Sequence, residues 1–336
     1  MGARFFEGSD PLSRKRGRLR EGAGDIHAGL VGERRLVGER YMADPGLRAQ
    51  YAEEIAPRTR AALARIWGDL GSRLGPVSRV LDLGAGTGAV GEAVHKRFGT
   101  DVEIVEIDQV ATHPGVLTAD LRRPGPVAGV GGRFELIVAA HLLNELGRFL
   151  DVDKRAALVF GWTRQWLADG GTVLLIEPAL RACSRELLAV RDRLVSAGLF
   201  VAAPCLWQGN CPALINERDW CHTTAPWEAA LLPERRGRSR VDFSYLALQA
   251  KGEPLGDRRV YRVVSDPMEE KGRMRLFGCG PAGRQALVRL DRERSGQNAG
   301  FDQVSRGDLL VVGETERAGD GLRIHAQSWA ERREPE

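Results

Sequence analysis

The apolar run Val80-Leu81-Asp82-Leu83 breaks into Gly84-Ala85-Gly86-Thr87-Gly88, and Ala89–Phe98 then carries helical spacing. A strand that meets three glycines and leaves as a helix constrains the fold more than any other feature of the chain. Glycine permits the tight turn and lets backbone N–H groups come close to a ligand at the helix N-terminus. The spacing is G-x-G-x-G, not the G-x-G-x-x-G of dinucleotide folds. Alone it is a turn, and its surroundings give it weight.

Those surroundings alternate. Strands are predicted at Arg79–Leu83, Val102–Ile107, Val116–Ala119, Phe134–Ala140, Thr172–Ile176, Leu199–Ala202 and Phe243–Leu248. Helices are predicted at Ala89–Phe98, Lys154–Leu167 and Ser184–Ala197. This order implies an α/β fold: a mostly parallel sheet with helices on both faces. Before it, residues 45–74 repeat Leu47, Tyr51, Ile55, Leu63, Ile66, Trp67 and Leu70 at helical steps, and Pro57 divides them into two helices. After about Pro254 only short strands are predicted, at Val260–Val264, Arg273–Phe277, Ala286–Leu290, Leu309–Val312 and Leu322–Ala326. They suggest a small OB-like barrel. The expected organisation is a basic flexible arm (1–38), a helical segment (39–76), the α/β domain (77–253) with an insertion (203–240), and the β-rich domain (254–330).

Charge is spread unevenly. The net charge is +4, and the first twenty residues alone carry that excess through Arg4, Arg14, Lys15, Arg16, Arg18 and Arg20 against Glu7 and Asp10. A second run is Arg235-Arg236-Gly237-Arg238-Ser239-Arg240. Such runs neutralise nucleic-acid phosphates or stand as solvated arms. No apolar run has the length of a membrane span, so no membrane partner is expected. Glu7, Asp10, Glu21 and Asp25 count against an organelle transit peptide. Arginine far outnumbers lysine, which points to a GC-rich bacterial source and the bacterial cytoplasm, with the mitochondrial matrix as the alternative. The free protein is expected to be a monomer.

Candidate ligand-binding residues fall at strand ends. Asp82 precedes the glycines. Asp108 ends the second strand, where it could accept hydrogen bonds from ribose hydroxyls, and Glu106 competes for that role. Asp120 follows the third strand, where an adenine amino group would lie. Together with Gly84, Ala85, Gly86 and Gly88, this order resembles the S-adenosylmethionine-dependent methyltransferases with a seven-stranded sheet. Beyond the fourth strand, His141, Asn144 and Glu145 are the candidates for substrate contact or catalysis. Glu177 ends the fifth strand at the same carboxyl edge.

The insertion holds Cys205, Cys211 and Cys221 within seventeen residues, and Cys279 sits far downstream. Four thiolates can hold an iron–sulfur cluster or a zinc ion. The C-x5-C-x9-C spacing lacks the C-x2-C pairs of zinc ribbons, which favours the cluster over zinc. Cys183 is read as a thiol without a metal role.

The chain resembles the methyltransferase-like proteins of the mitochondrial small ribosomal subunit and their bacterial relatives. The residues that carry the likeness are Leu81 through Gly88, Ile176-Glu177-Pro178, and Ala203-Pro204-Cys205 leading to Cys211-Pro212. Asp219-Trp220-Cys221-His222, Phe243-Ser244-Tyr245-Leu246 and Cys279 complete it. The likeness departs at Leu206-Trp207, where the family often has Pro-His, and at Thr223, where it has Phe. It implies a [4Fe-4S] cluster on Cys205, Cys211, Cys221 and Cys279. It also implies a part in maturing the small ribosomal subunit through its RNA. The expected function is thus a ribosome-associated methyltransferase, with S-adenosylmethionine as cofactor and ribosomal RNA as partner. The alternatives are a non-catalytic assembly factor that binds the same cofactor and RNA, and a small-molecule methyltransferase.

Overall fold

The computed structural model describes residues 26–227, 240–254, 257, 259–319 and 321–333. The basic run within residues 1–20 and most of the run at 235–240 lie outside them.

Two helices precede the sheet, α1 (Pro45–Glu54) and α2 (Ala56–Leu70), with the break at Ile55. Asp44 caps α1 by accepting a hydrogen bond from Leu47 N at 2.9 Å, and Pro45 takes the first helical position. The first sheet then builds from β1 (Arg79–Leu83), β2 (Glu103–Asp108), β3 (Leu117–Thr118), β4 (Phe134–Ala140), β5 (Leu167–Pro178), β6 (Phe200–Ala203), β7 (Thr223–Pro226) and β8 (Arg240–Gln249). Its order is β3-β2-β1-β4-β5-β8-β6, with β7 paired to β8. The pairings from β3 to β5 are parallel, and β8 runs antiparallel to β5, β6 and β7.

The parallel strands are apolar because both faces are covered. The helices between them are α3 (Ala89–Phe98), α4 (Leu142–Leu146), α5 (Val152–Trp166) and α6 (Arg181–Ser196). On one face α2 and α3 bury Leu63, Ile66, Trp67, Val90 and Val94 against Val80, Leu136, Val138, Leu174 and Ile176. On the other, α5 and α6 bury Val159, Trp162, Leu187, Val190 and Leu194 against Leu81, Ile137, Ala139, Val173 and Leu175. Alternate residues of β4 and β5 thus feed two separate cores, as the period of a strand requires.

The second sheet comprises β9 (Val260–Val263), β10 (Met268–Glu270), β11 (Arg273–Gly280), β12 (Gly283–Leu290), β13 (Leu309–Val312), β14 (Glu316–Ala318), β15 (Gly321–Ile324) and β16 (Ala330–Arg333). Its order is β14-β15-β12-β11-β9-β13-β16, with β10 on β11. Every pairing is antiparallel except β12 with β15. It has its own core of Val263, Leu276, Leu287, Phe301, Leu310 and Ile324.

An ionic network joins this sheet to α2. Asp69 accepts from Arg262 Nη1 at 2.8 Å, from Arg65 Nε at 3.3 Å and from the Tyr245 hydroxyl at 2.7 Å. Arg65 also reaches Asp308 at 3.3 Å, and Arg332 reaches the same carboxylate at 2.9 Å. Asp69, Arg262 and Asp308 are all buried, so each ion is matched rather than stranded.

Part of the sequence reading changes here. Residues 26–38 are not a free arm: Ile26 is 0% exposed and packs with Tyr41, Met42, Leu47, Tyr51 and Ile55. Strand β7 and helix α4 were not expected. The first is four residues long and includes a proline, and the second spans five residues, too short to show a period.

Candidate functional site

The glycine loop turns where positive φ is required. Gly84, Gly86 and Gly88 have φ of 81°, 54° and 80°, values that a residue with a Cβ rarely adopts. A Cβ on Gly86 would also stand 3.3 Å from Met42 Cε, and one on Gly84 3.3 Å from Leu142 Cδ1. The loop is held by its neighbour strand: Gly84 N and Ala85 N donate to Ile107 O at 2.8 and 3.1 Å. Gly86 N donates to Asp108 Oδ2 at 2.9 Å.

Over this loop lies a narrow cavity of about 80 Å³, whose wall includes Gly84, Gly86, Asp108 and Asp120. Asp108 is the inward carboxylate of β2. Glu106 instead meets His113 Nε2 at 2.8 Å. Asp120 is tied to Arg122 by two contacts of 2.8 Å, which hold its carboxyl below the ordinary range. Asp82 is fully buried behind the loop, and neither of its oxygens has a hydrogen-bond partner. Burial, and then the charges of Glu106 and Asp108, raise its carboxyl well above the usual range. Gly88 N donates to Ala85 O at 2.9 Å and closes the turn.

A second, larger chamber of about 730 Å³ adjoins the first. Tyr41, Tyr51, His141 and Glu145 line both cavities and form their common wall. Asn144 faces the large chamber alone, with Arg58, Trp227 and Asp242 among its other walls. The Arg58 guanidinium lies over the Trp227 ring, 5.4 Å from its centroid. The Tyr41 hydroxyl donates to Glu145 Oε1 at 2.9 Å, and burial pushes the Glu145 carboxyl up to about 8. Glu177 accepts from Leu143 N at 2.8 Å and leaves Oε2 without a partner; burial pushes this carboxyl too up to about 8. His141 has φ of 61°, and burial followed by the charge of Arg58 pushes its imidazole down to about 4. It is neutral at physiological pH.

Tyr41, Tyr51, Arg58, Thr59 and Trp227 escaped sequence reasoning. They come from segments that only the fold brings together.

The four cysteines of the expected metal site share one small cavity of about 40 Å³, with Pro204, Pro212, Trp220, His222, Arg262 and Arg284 also on its wall. Cys279 stands on β11, while the other three belong to the insertion. Burial, and then the neighbouring thiols, push Cys211 up to about 12 and Cys221 up to about 11. Cys279 is raised well above its ordinary value for the same reasons. Among the described residues no group of three or more His, Cys, Asp or Glu side chains is set to hold a metal ion. The shared cavity thus brings the four cysteines together without the arrangement of a metal site among the described residues. Cys183 is not on the wall of this cavity; it is buried in α6, with its sulfur 3.1 Å from Arg34 Nη1.

Residues 49–299 match the family described as mitochondrial small ribosomal subunit Rsm22. The chain belongs to this family. No curated protein matches it. Among solved structures it is similar to the plantazolicin methyltransferase BpumL in complex with SAH, at 11% identity over 70% of this chain and 99% of that one, with a TM-score of 0.40. It is also similar to the mitomycin 7-O-methyltransferase MmcR (12% identity, 70% of this chain, 66% of that one, TM-score 0.38). A third similarity is to a fibrillarin/Nop5p complex (14% identity, 58% and 82%, TM-score 0.35). With scores this low, it is the sheet order and the glycine loop that make the Rsm22-family domain methyltransferase-like. Among the described residues no helix is long and apolar enough to cross a membrane.

Proposed function

We propose that this Rsm22-family chain binds S-adenosylmethionine over the glycine loop and acts as a methyltransferase on the small ribosomal subunit, through its RNA. The observation that carries the reading is the pair of cavities with a common wall. One lies on the glycine loop beside Asp108 and Asp120, and the other is large enough for an acceptor. The residues suit the cofactor: positive-φ glycines give its backbone access, and Asp108 and Asp120 offer acceptors to its ribose and adenine. The cofactor supplies an electrophilic methyl group. This chain's own part is to align the acceptor and exclude water, which methyl transfer chiefly needs. The ribosomal partner rests on the family, whose description also supports the mitochondrial matrix over the bacterial cytoplasm.

The cysteine cavity is the proposed site of a [4Fe-4S] cluster, with zinc as the alternative. Cys205, Cys211, Cys221 and Cys279 would hold it. Shared ligation would tie the insertion to β11 beside the Asp69–Arg262 network. The second sheet has eight strands, more than the five of an OB fold, and the OB-like, RNA-binding reading of it rests on the family. The free protein is read as a monomer.

Tritiated S-adenosylmethionine, incubated with the protein and precursor small subunits, tests the activity. RNA labelled above background is expected. Donor binding without label would leave the non-catalytic assembly factor as the function. The 730 Å³ chamber favours one further reading, because small-molecule sites have this volume. Transfer to small aromatic acceptors but not to subunits would establish that reading. Protein purified without oxygen should absorb broadly in the visible, and Cys279→Ser should abolish the absorption. A colourless, zinc-loaded protein would replace the cluster with zinc.

A further inference from the structure

We infer that Thr59 and His141 form a proton-accepting pair for the methyl acceptor, in which Thr59 fixes the imidazole as the Nε2–H tautomer and His141 Nδ1 is the general base. This rests on the methyl-transfer reading and deepens it by naming the acceptor class. The acceptor must carry a proton to lose, as a hydroxyl, an amine or a ring N–H does.

The hydrogen-bond directions carry the argument. Thr59 is 3% exposed in α2. Its Oγ1 lies 3.5 Å from Ile55 O and 3.3 Å from His141 Nε2. A carbonyl can only accept, and we assign the hydroxyl proton to Ile55 along the helix, as helical threonines bond back to the preceding turn; donated to Nε2 instead, it would reverse the tautomer. The lone pairs of the same oxygen then face the imidazole, and Nε2 must donate to them. A neutral imidazole has one N–H. Nδ1 is therefore left with a bare lone pair. It is buried and has no hydrogen-bond partner among the described residues.

Two more features set this residue apart. An unmet buried acceptor is costly, and φ of 61° is unusual for a residue other than glycine. Such costs persist at functional sites. The residue is part of the wall common to both cavities, with Nδ1 itself closed to water in the free protein.

Burial first, and then the surrounding charges, keep the imidazole neutral. Arg58 of α2 opposes protonation. Tyr41 and Tyr51 are held neutral by burial. Glu145 of α4 and Glu177 of β5 are both raised to about 8. His27, Arg240 and Asp242 face the same chamber.

The step balances. The acceptor's lone pair forms the bond to the methyl carbon, and the carbon–sulfur pair stays on sulfur. The acceptor's proton passes to Nδ1, and from there to solvent. A weak base suffices, because the acceptor proton becomes strongly acidic once the new bond forms.

The test uses the full chain labelled with ¹⁵N-histidine, with the His141 signals assigned from His141→Asn, a residue that tolerates left-handed backbone. Heteronuclear NMR should show protonated Nε2 and bare Nδ1 from pH 5 to pH 8. Thr59→Val should admit the Nδ1–H form, and Thr59→Ser should restore the original tautomer. An Nδ1–H tautomer in the wild type, or imidazolium at pH 7, overturns the inference. In tritium transfer to small subunits, His141→Asn should slow labelling by about 10²–10⁴-fold, with donor binding in equilibrium dialysis kept. Equal labelling by His141→Asn and wild type overturns the pair but leaves methyl transfer standing. Failure of the wild type to bind the donor overturns the methyl-transfer reading, and the tautomer then decides the pair by itself.

Discussion

Two buried polar regions of this molecule are built on opposite terms. At the junction of α2 with the second sheet, Asp69 meets Arg65, Arg262 and Tyr245, and Asp308 meets Arg65 and Arg332. At the cavity end, Asp82 has no partner for either oxygen, and Glu177 Oε2 and His141 Nδ1 also lack one. A fold keeps buried ions for stability only when they are matched. Unmatched buried groups point to binding or chemistry. The junction is therefore read as structural and the cavity end as functional. One helix serves both, with Thr59 near its start and Arg65 and Asp69 further along.

The sharpest way to break this contrast is Asp69→Ala. It strands Arg262 from its carboxylate and leaves Arg65 with the Asp308 carboxylate alone, and it should cost about 3–5 kcal/mol of stability in urea unfolding. A loss below about 1 kcal/mol would mean that the junction is no better matched than the cavity.

Sequence and structure agree where burial is two-sided and differ where it is local. The parallel strands announced themselves because Leu81, Leu136 and Val173 are buried on both faces, and Pro57 correctly divided two helices. Residues 26–38 passed for an arm because glycine and arginine outnumber the apolar side chains over 1–38 as a whole, which hides Ile26 and Val37, two of those that fix the segment. Arg65 and Asp69 have the spacing of an ordinary exposed helix pair, and nothing local reveals that a distant sheet covers them. Asp108 and Glu106 point to the same side of one strand, so only His113 could separate their roles. Thr59 left a faint signal, as a β-branched residue inside a helix. The chamber wall left none, since it gathers residues from 27 to 243.

A smaller effect is expected with pH. Glu145 and Glu177 have folded values of about 8 against an ordinary 4.5. A raised carboxyl stabilises the fold fully below its unfolded value, and that stability is lost as pH rises through the folded value. The free protein should thus weaken between about pH 4.5 and pH 8. Glu177→Gln should flatten the loss, read from urea midpoints at pH 5 and pH 8. An equal slope in the variant would show that the carboxyl is matched after all.

The least effect belongs to the surface. Arg79 holds Glu103 at 2.7 Å, yet Glu103 remains more than half exposed. Glu103→Ala should change stability by less than about 1 kcal/mol. A loss as large as that of Asp69→Ala would remove burial as the basis of the comparison.

The account depends most on the methyl donor's place above the glycine loop. Equilibrium dialysis with labelled S-adenosylmethionine tests this directly, comparing the wild type with Asp108→Ala. The account predicts one saturable site per chain, weakened at least about tenfold in the variant, because a hydrogen bond to a charged group is worth about 1.5–3 kcal/mol. No saturable binding, or equal binding by both proteins, would contradict it.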